Sequence, residues 1–153
     1  RGDARVINEQ NSAKGIDEIQ ADPFRGSGAV HNPELEMVEA RKNIDFFANL
    51  KAQMWWSLRM RFQNTYRALQ GMQYDPDALI SLSTEDLDKR ELEQLKRELS
   101  QQTYSKNGAG KILVNKQPDG ALSPNRADSV MICFSDIKPP ARLRPGGGGS
   151  RSF

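Results

Sequence analysis

The sequence has 153 residues, of which 37% are hydrophobic, a formal net charge of +2 and a single cysteine, Cys133. This length suits one domain with its own core, and a lone cysteine excludes an intrachain disulfide, so we expect a reducing compartment. No run approaches the roughly 18 consecutive apolar residues of a membrane-spanning helix, which excludes that class of protein.

The N-terminal residues predict a helix followed by a strand. Residues 1–10 have helical periodicity, and Gly15 is well placed to end the helix because glycine readily adopts the left-handed conformation found there. Residues 16–21, IDEIQA, predict a short strand, which Pro23 closes. A helix followed by a strand is the second half of a βαβ unit. We therefore expect the other strands of this sheet to precede residue 1, in a longer protein.

A glycine-rich loop over residues 24–33 comes next. Its G-S-G segment could cradle a phosphate through backbone N–H groups, but it lacks the lysine and the following Ser/Thr of a P-loop, so the pattern is weak. His31 is the only histidine in the chain, and no cysteine lies near it in the sequence. An isolated histidine is a poor candidate for a metal ligand or a catalytic base.

The longest periodic stretch is residues 42–69, KNIDFFANLKAQMWWSLRMRFQNTYRAL. No glycine or proline occurs from residue 34 to residue 70, and apolar residues recur at spacings of three, four and seven. A second apolar set lies on the opposite side. This pattern predicts one long central helix of about 40 Å, packed between two layers.

The predicted long helix is mainly positively charged: residues 41–70 contain six Lys/Arg and one acid, Asp45. Arg61 falls within the apolar stripe, whereas Arg59 and Arg67 lie further round the helix. Two interpretations stay open. Either Arg61 packs its stem on the core and pairs its head with an acid, or the arginines form a basic ridge that contacts nucleic-acid phosphates.

Two elements are predicted after the long helix. A second helix begins at Ser83, which we expect to cap it, and its leucines form one apolar side. Residues 104–116 predict a β-hairpin, because Asn107-Gly108 is a turn sequence and residues 112–114 form the best strand in the chain.

The last predicted helix begins at Ser123-Pro124, with serine as the cap and proline in the first helical position. It runs to about Phe134 and carries Asp128 one turn in. Beyond it, residues 137–153 have no periodicity and are rich in Pro, Gly and Arg, so we expect a disordered basic tail.

Three sub-motifs occur in order: N-L-K-A-Q-x-W-W at residues 49–56, Y-x-x-x-G-x-G-K at 104–111 and S-P-N-x-A-D-x-V-M at 123–131. With the segments around them, they resemble the C-terminal nuclease region of the large terminase subunit of tailed bacteriophages. The resemblance implies an α/β (α+β) fold, with an incomplete ribonuclease H-like nuclease domain over residues 1–136. That domain would contain the long central helix, the β-hairpin and the C-terminal helix, followed by the disordered tail.

The resemblance also implies a chemistry. Large terminase subunits join a packaging ATPase to a nuclease that cuts concatemeric double-stranded DNA with carboxylates that hold Mg²⁺ or Mn²⁺. One acidic ligand of the family lies in the A-D-x-V-M segment and corresponds to Asp128, and the others lie upstream of residue 1. Nothing in the spacing of Asp3, Asp22 and Asp119 selects them as ligands. We therefore expect Asp22, Asp119 and Asp128 not to meet within about 8 Å, and the chain not to cut DNA alone.

The same resemblance implies which molecules this chain would bind. They are double-stranded DNA, the remaining nuclease strands and the ATPase domain, with the small terminase subunit and the portal as further partners. The expected location is the cytoplasm of a bacterial host. The basic residues expected to contact DNA are Arg59, Arg67, Lys111 and Lys116.

Two alternatives stay open. One is a non-catalytic DNA-binding or packaging-motor module that uses the basic helix and the basic tail. The other is an interaction fragment, such as a prophage remnant, that associates through an exposed sheet edge. Without its upstream strands, the chain is expected to be marginally stable and to self-associate or aggregate. The expected association surface is the strand edge at residues 16–21 beside an exposed apolar side of the long helix, with Phe47, Met54 and Trp55.

Overall fold

The computed structural model describes residues 4–15, 23–116 and 123–135. The chain divides into two units, and the second comprises residues 24–135. Of the first unit, the described residues are 4–15 and 23.

Several sequence predictions fall outside the described residues. These are the strand at residues 16–21, the tail at residues 137–153, and the acids Asp3, Asp22 and Asp119. The expected separation of Asp22, Asp119 and Asp128 therefore stays a prediction, as do the domain bounds 1–136 and 137–153.

In the first unit, the predicted N-terminal helix is confirmed as α1 (Ala4–Ala13). Arg5 Nε lies 3.9 Å from Glu9 Oε1, one helical turn away, where opposite charges support a helix. The helix ends as expected, because Gly15 has a φ of +72°, in the left-handed region that glycine adopts without steric cost.

The second unit combines helices with a small antiparallel sheet, which confirms the mixed fold class. None of the described helices is both long enough and apolar enough to cross a lipid bilayer. The elements are α2 (Asn43–Phe46), α3 (Leu50–Leu69), a 3-10 turn (Pro76–Ala78), α4 (Lys89–Ser100), β1 (Tyr104–Lys106), β2 (Ile112–Val114) and α5 (Asn125–Cys133).

The predicted single long helix is wrong, because the chain leaves helical geometry between α2 and α3. Phe47 is extended, with φ −108° and ψ 140°, and it forms a parallel bridge with Ile112. The N–H group of Ala48 donates to the Ile112 carbonyl at 2.8 Å. Asn49 then starts α3 by accepting a 2.9 Å hydrogen bond from the Ala52 N–H group. The central helix therefore has 20 residues, about 30 Å, rather than about 40 Å.

Only the first half of α3 is buried. In the second half, Phe62, Tyr66 and Leu69 are 38%, 60% and 78% exposed. The prediction of a helix packed between two layers along its length is therefore also wrong. Its buried residues are Ala52, Gln53, Met54, Trp55 and Leu58. The expectation of an exposed association surface at Phe47, Met54 and Trp55 is therefore wrong, because all three are buried.

The core of the second unit forms around the start of α3. Phe47, Ala52 and Ile112 lie at its centre, each at most 3% exposed. α5, which contacts α3 and α4, buries Ala127 and Met131. Partly buried apolar residues pack around the centre: Val30, Met37, Val38, Phe46, Trp56 and Val114.

The predicted hairpin is confirmed, with β1 and β2 antiparallel. Asn107 builds the turn: its side-chain Oδ1 accepts 3.0 Å hydrogen bonds from the N–H groups of Ala109 and Lys111. The left-handed residue is Gly110, at φ +74°, and not Gly108. The conformational freedom of glycine is therefore used at the end of the turn.

The second predicted helix begins later than expected. α4 starts at Lys89, and residues 84–87 form a turn before it. Asp88, and not Ser83, is the cap, because its Oδ1 accepts a 2.7 Å hydrogen bond from the Glu91 N–H group.

Candidate functional site

Asp128, the predicted metal ligand, lies in the first turn of α5 and faces α3. Lys51 Nζ lies 3.0 Å from its Oδ1 and 3.1 Å from its Oδ2. The indole Nε1–H group of Trp55 donates to Oδ1 at 3.2 Å. The Asp128 side chain is 26% exposed, so solvent still reaches this carboxylate. Side chains from α3 thus hold a partly buried acid in place.

The glycine-rich loop fixes the start of α3, from which Lys51 and Trp55 project on the same face, one turn apart. The N–H groups of Leu50 and Lys51 donate to the carbonyls of Gly28 and Gly26, at 3.0 and 2.8 Å. A Cβ atom on Gly26 would lie only 3.1 Å from the Lys51 Cβ atom, so glycine permits this close approach. The loop presents carbonyls to the helix, and the phosphate-cradle interpretation is not supported.

A buried carboxylate caps α5, which carries Asp128. Glu98, 6% exposed, accepts hydrogen bonds at Oε2 from the N–H groups of Arg126 and Ala127, at 2.8 and 3.1 Å. A negative charge there also complements the positive end of the helix dipole. The predicted serine cap is wrong, because the Ser123 hydroxyl instead donates to the Asn125 side chain at 2.9 Å.

Within the described residues, no group of three His, Cys, Asp or Glu side chains could hold a metal ion. Mg²⁺ and Mn²⁺ prefer several oxygen ligands, and here one carboxylate is available, with an ammonium group on both of its oxygens. These residues alone therefore do not fit a divalent-metal centre.

His31 is held through its main chain by a buried polar network. Gln53, 2% exposed, accepts from the His31 N–H group at 2.7 Å and donates to the His31 carbonyl at 2.9 Å. Asn43, 4% exposed, donates to the Asn32 carbonyl at 2.9 Å and accepts from the Met37 N–H group at 3.1 Å. Because buried polar groups need partners, these two amides fix the preceding loop against α2 and α3.

The four basic residues predicted to contact DNA lie in two places, on α3 and on either side of β2. Arg59 and Arg67 are on α3, eight residues or about 12 Å apart along the axis. The Arg59 guanidinium lies over the Trp56 ring, 4.8 Å from its centroid. Lys111 and Lys116 flank β2, the first half-buried and the second exposed.

Arg61, unlike the exposed Arg59 and Arg67, is half-buried and contacts the main chain of another segment. Its Nη1 group donates to the Leu79 carbonyl at 3.3 Å. This contact ties α3 to the segment after the 3-10 turn, which favours the structural interpretation of Arg61 over the phosphate-contacting one.

An apolar cavity of about 450 Å³ opens between α3, α4 and the hairpin. Among the described residues, no acid lines this cavity. The larger lining residues are Trp55, Trp56, Phe62, Leu99, Tyr104 and Val114.

Three residues of the site were not recognised from the sequence. Lys51 and Trp55 belong to the N-L-K-A-Q-x-W-W motif, and their spacing of four was the available signal, because it puts both on one helix face. Glu98 lies three residues after the buried Leu95, so the periodicity of α4 indicates its inward face.

Solved structures of one viral nuclease resemble this chain. The nuclease domain of the large terminase subunit gp2 of bacterial virus Sf6 is 30% identical, with a TM-score of 0.75 over 90% of this chain and 63% of that chain. A mutant of the domain with manganese and beta-thujaplicinol is 31% identical, with a TM-score of 0.75 over 88% of this chain and 61% of that chain. A mutant with calcium is 32% identical, with a TM-score of 0.70 over 86% of this chain and 60% of that chain.

No protein-family model and no curated protein matches the chain. The structural likeness nevertheless confirms both the resemblance seen in the motifs and the partial ribonuclease H-like α+β fold. The chain is a structural relative of the phage terminase nuclease domain, and it spans about three fifths of the length of the solved domains.

Proposed function

We propose that this relative of the terminase nuclease domain takes part in metal-dependent hydrolysis of double-stranded DNA, with Asp128 as one of the metal-binding carboxylates. The observation that carries the proposal is the position of Asp128: a partly exposed acid at the start of α5, held by α3, in a chain with the fold of that nuclease.

The remaining carboxylates must come from outside the described residues. Bound divalent ions would polarise the phosphate and activate the attacking water, and a two-metal centre needs several converging oxygen ligands. The role of the described residues is to position one of them. Glu98 caps the helix that carries Asp128, and Trp55 orients the Asp128 carboxylate. The 153-residue chain alone is therefore expected not to cut DNA.

A plasmid-cleavage assay in Mn²⁺ tests this function. The chain alone should leave supercoiled plasmid intact, whereas a protein that also carries the upstream coding sequence should cleave it. In that longer protein, Asp128→Asn should lower the cleavage rate at least about a hundredfold, since even outer partners of metal ligands cost 10–100-fold.

Asp86→Asn is the matched control, because Asp86 is an exposed acid before α4 and its loss should leave cleavage unchanged. Cleavage that survives Asp128→Asn would contradict the role of Asp128. Cleavage by the 153-residue chain alone would show that its own residues complete the centre.

A non-catalytic DNA-binding role is the second candidate, and the exposed arginines of α3 favour it. Among the described residues, neither Arg59 nor Arg67 forms an ion pair with an acid, although the Arg59 guanidinium stacks on the Trp56 ring, so no carboxylate competes with phosphates for either charge. Lys111 and Lys116 would add charge from the hairpin. Such contacts are independent of DNA sequence, and they weaken as salt rises because binding releases counterions.

Fluorescence anisotropy with a labelled duplex tests this binding. Affinity should fall steeply between about 50 and 200 mM salt, and Arg59→Glu with Arg67→Glu should weaken binding and flatten the salt dependence. The matched control is Lys89→Glu with Arg90→Glu, which changes the net charge equally on α4. Equal losses in both pairs would exclude specific contacts by the α3 arginines.

A further inference from the structure

The apolar cavity between α3, α4 and the hairpin has the size and the walls of a small-molecule site. Its volume of about 450 Å³ lies within the roughly 300–1,000 Å³ of such sites. Trp56, Phe62 and Tyr104 line it, and the last two are 38% and 53% exposed, so the cavity opens to solvent. Because aromatic rings pack well against one another edge to face, these walls suit a flat aromatic body.

The charged side chains in the cavity lining are all basic. Among the described residues, Arg59 and Lys96 line the cavity and no acid does. Lys96 Nζ already pairs with Glu93 Oε1 at 2.8 Å. The Arg59 guanidinium lies over the Trp56 ring, 4.8 Å from its centroid, and no acid of the described residues pairs with it. A guanidinium that stacks on a ring keeps N–H groups for an anion, so the cavity favours an occupant with a negative charge.

A hydrogen-bond donor without an acceptor is an independent feature of the same lining. Gln102 lines the cavity, and its side-chain Nε2 atom is buried with no hydrogen-bond partner in the described part of the chain. A buried donor without a partner costs free energy. A ligand that carries an acceptor oxygen would supply the partner once the Gln102 amide turns toward it.

We propose that this cavity is a binding site for an aromatic carboxylate, whose ring lies among the aromatic side chains of the lining and whose carboxylate pairs with Arg59. The proposal goes beyond DNA hydrolysis and does not require Asp128 to bind a metal ion. Trp55 lines the cavity and also donates to Asp128, so the ligand site adjoins the side chain that orients this acid.

Two matched probes test the class of ligand. The probes 2-naphthoate and 2-naphthamide share one ring system and both carry an acceptor oxygen, but only 2-naphthoate is charged. Both tryptophans of the chain line the cavity, so their indole N–H signals in a ¹⁵N-labelled sample report its occupancy. Titration should show that 2-naphthoate binds about three- to fivefold more tightly than 2-naphthamide, the effect expected of one solvent-exposed ion pair.

Variants of the arginine test which charge the carboxylate contacts. Arg59→Gln removes the charge, and the two probes should then bind equally. Arg59→Lys keeps the charge and should keep most of the preference for 2-naphthoate. Arg67→Gln is the matched control, because Arg67 lies on the same helix but does not line the cavity, and it should change neither affinity.

A further variant tests whether the probes occupy the cavity. Val114→Phe adds a ring to the lining and should weaken the binding of both probes by at least about tenfold, because it removes the space for their rings. Thr103→Phe, at an exposed position of the lining, serves the same purpose if Val114→Phe fails to fold.

The opposite results would overturn the proposal. Equal affinities for the two probes in the unaltered chain would exclude a preference for carboxylates. A preference that survives Arg59→Gln, or that Arg67→Gln lowers as much, would exclude the contact with Arg59. Absence of saturable shifts, or binding that is unchanged in the variants with an added ring, would exclude the cavity as the site. None of these results bears on DNA cleavage, so the proposed function is tested separately.

Discussion

The two halves of α3 differ sharply, although they belong to one uninterrupted helix. The first half is buried against the hairpin and α5, and its polar side chains have partners from segments far away in the chain. The second half exposes Tyr66 and Leu69, and the residues after it expose Met72 and Tyr74. Helical periodicity alone therefore does not tell which part of an apolar stripe is core, because burial depends on what packs against it.

The difference also separates two kinds of function. The first half holds Asp128 through Lys51 and Trp55, which is a geometry for positioning one acid. The second half has an exposed arginine, Arg67, among exposed apolar side chains, and it is the region to which the proposed DNA contacts belong. Substitutions in each region should therefore affect different measurements.

The largest expected effect is on folding. Phe47→Ala should lower the free energy of unfolding by about 3–5 kcal/mol, because it leaves a cavity at the centre of the core. Leu69→Ala, at the exposed end of α3, should change it by less than about 0.5 kcal/mol. Urea denaturation followed by tryptophan fluorescence measures both, and similar losses would mean that the two halves of the helix are equally buried in solution.

The second-largest expected effect on stability is the loss of the Glu98 carboxylate that caps α5. Glu98→Ala should cost about 1–3 kcal/mol of stability, because it leaves two N–H groups at the start of the helix without their acceptor. Glu93→Ala, which removes only an exposed pair with Lys96, should cost less than about 1 kcal/mol. Equal costs for the two variants, measured by the same denaturation, would argue against the capping role.

A smaller effect is expected at the break before α3. Asn49→Ala should cost about 1 kcal/mol, the usual value for a lost N-terminal cap, whereas Asn49→Ser should be nearly neutral because serine also caps. Thermal unfolding by circular dichroism distinguishes the two. If both variants melt alike at a lower temperature, the Asn49 amide has a role other than capping.

The smallest effect on stability belongs to the exposed end of α3. Leu69→Ser should change the free energy of unfolding by less than about 0.5 kcal/mol, yet it should reduce self-association, because it interrupts an exposed apolar surface. Sedimentation velocity over a range of concentrations measures this. A chain that is monomeric before the substitution would contradict the expected self-association.

Local sequence patterns determined much of the outline. Gly15 ends α1, Asn107 builds the hairpin turn, and Asp128 lies one turn into the last helix, as predicted. Each of these depends on hydrogen bonds or backbone conformations within a few residues, which the local sequence specifies. The motifs also led to the correct fold family, now supported by the solved terminase nuclease domains.

Tertiary structure decided the features that join distant segments. The helix breaks at Phe47 because that residue pairs with Ile112, and no pattern within residues 42–69 contains this partner. The cap of α5 comes from Glu98, 28 residues before Arg126, and the partner of Asp128 is Lys51, 77 residues away. Periodicity shows which side of a helix is apolar, but only the packed chain selects the charge that faces each carboxylate.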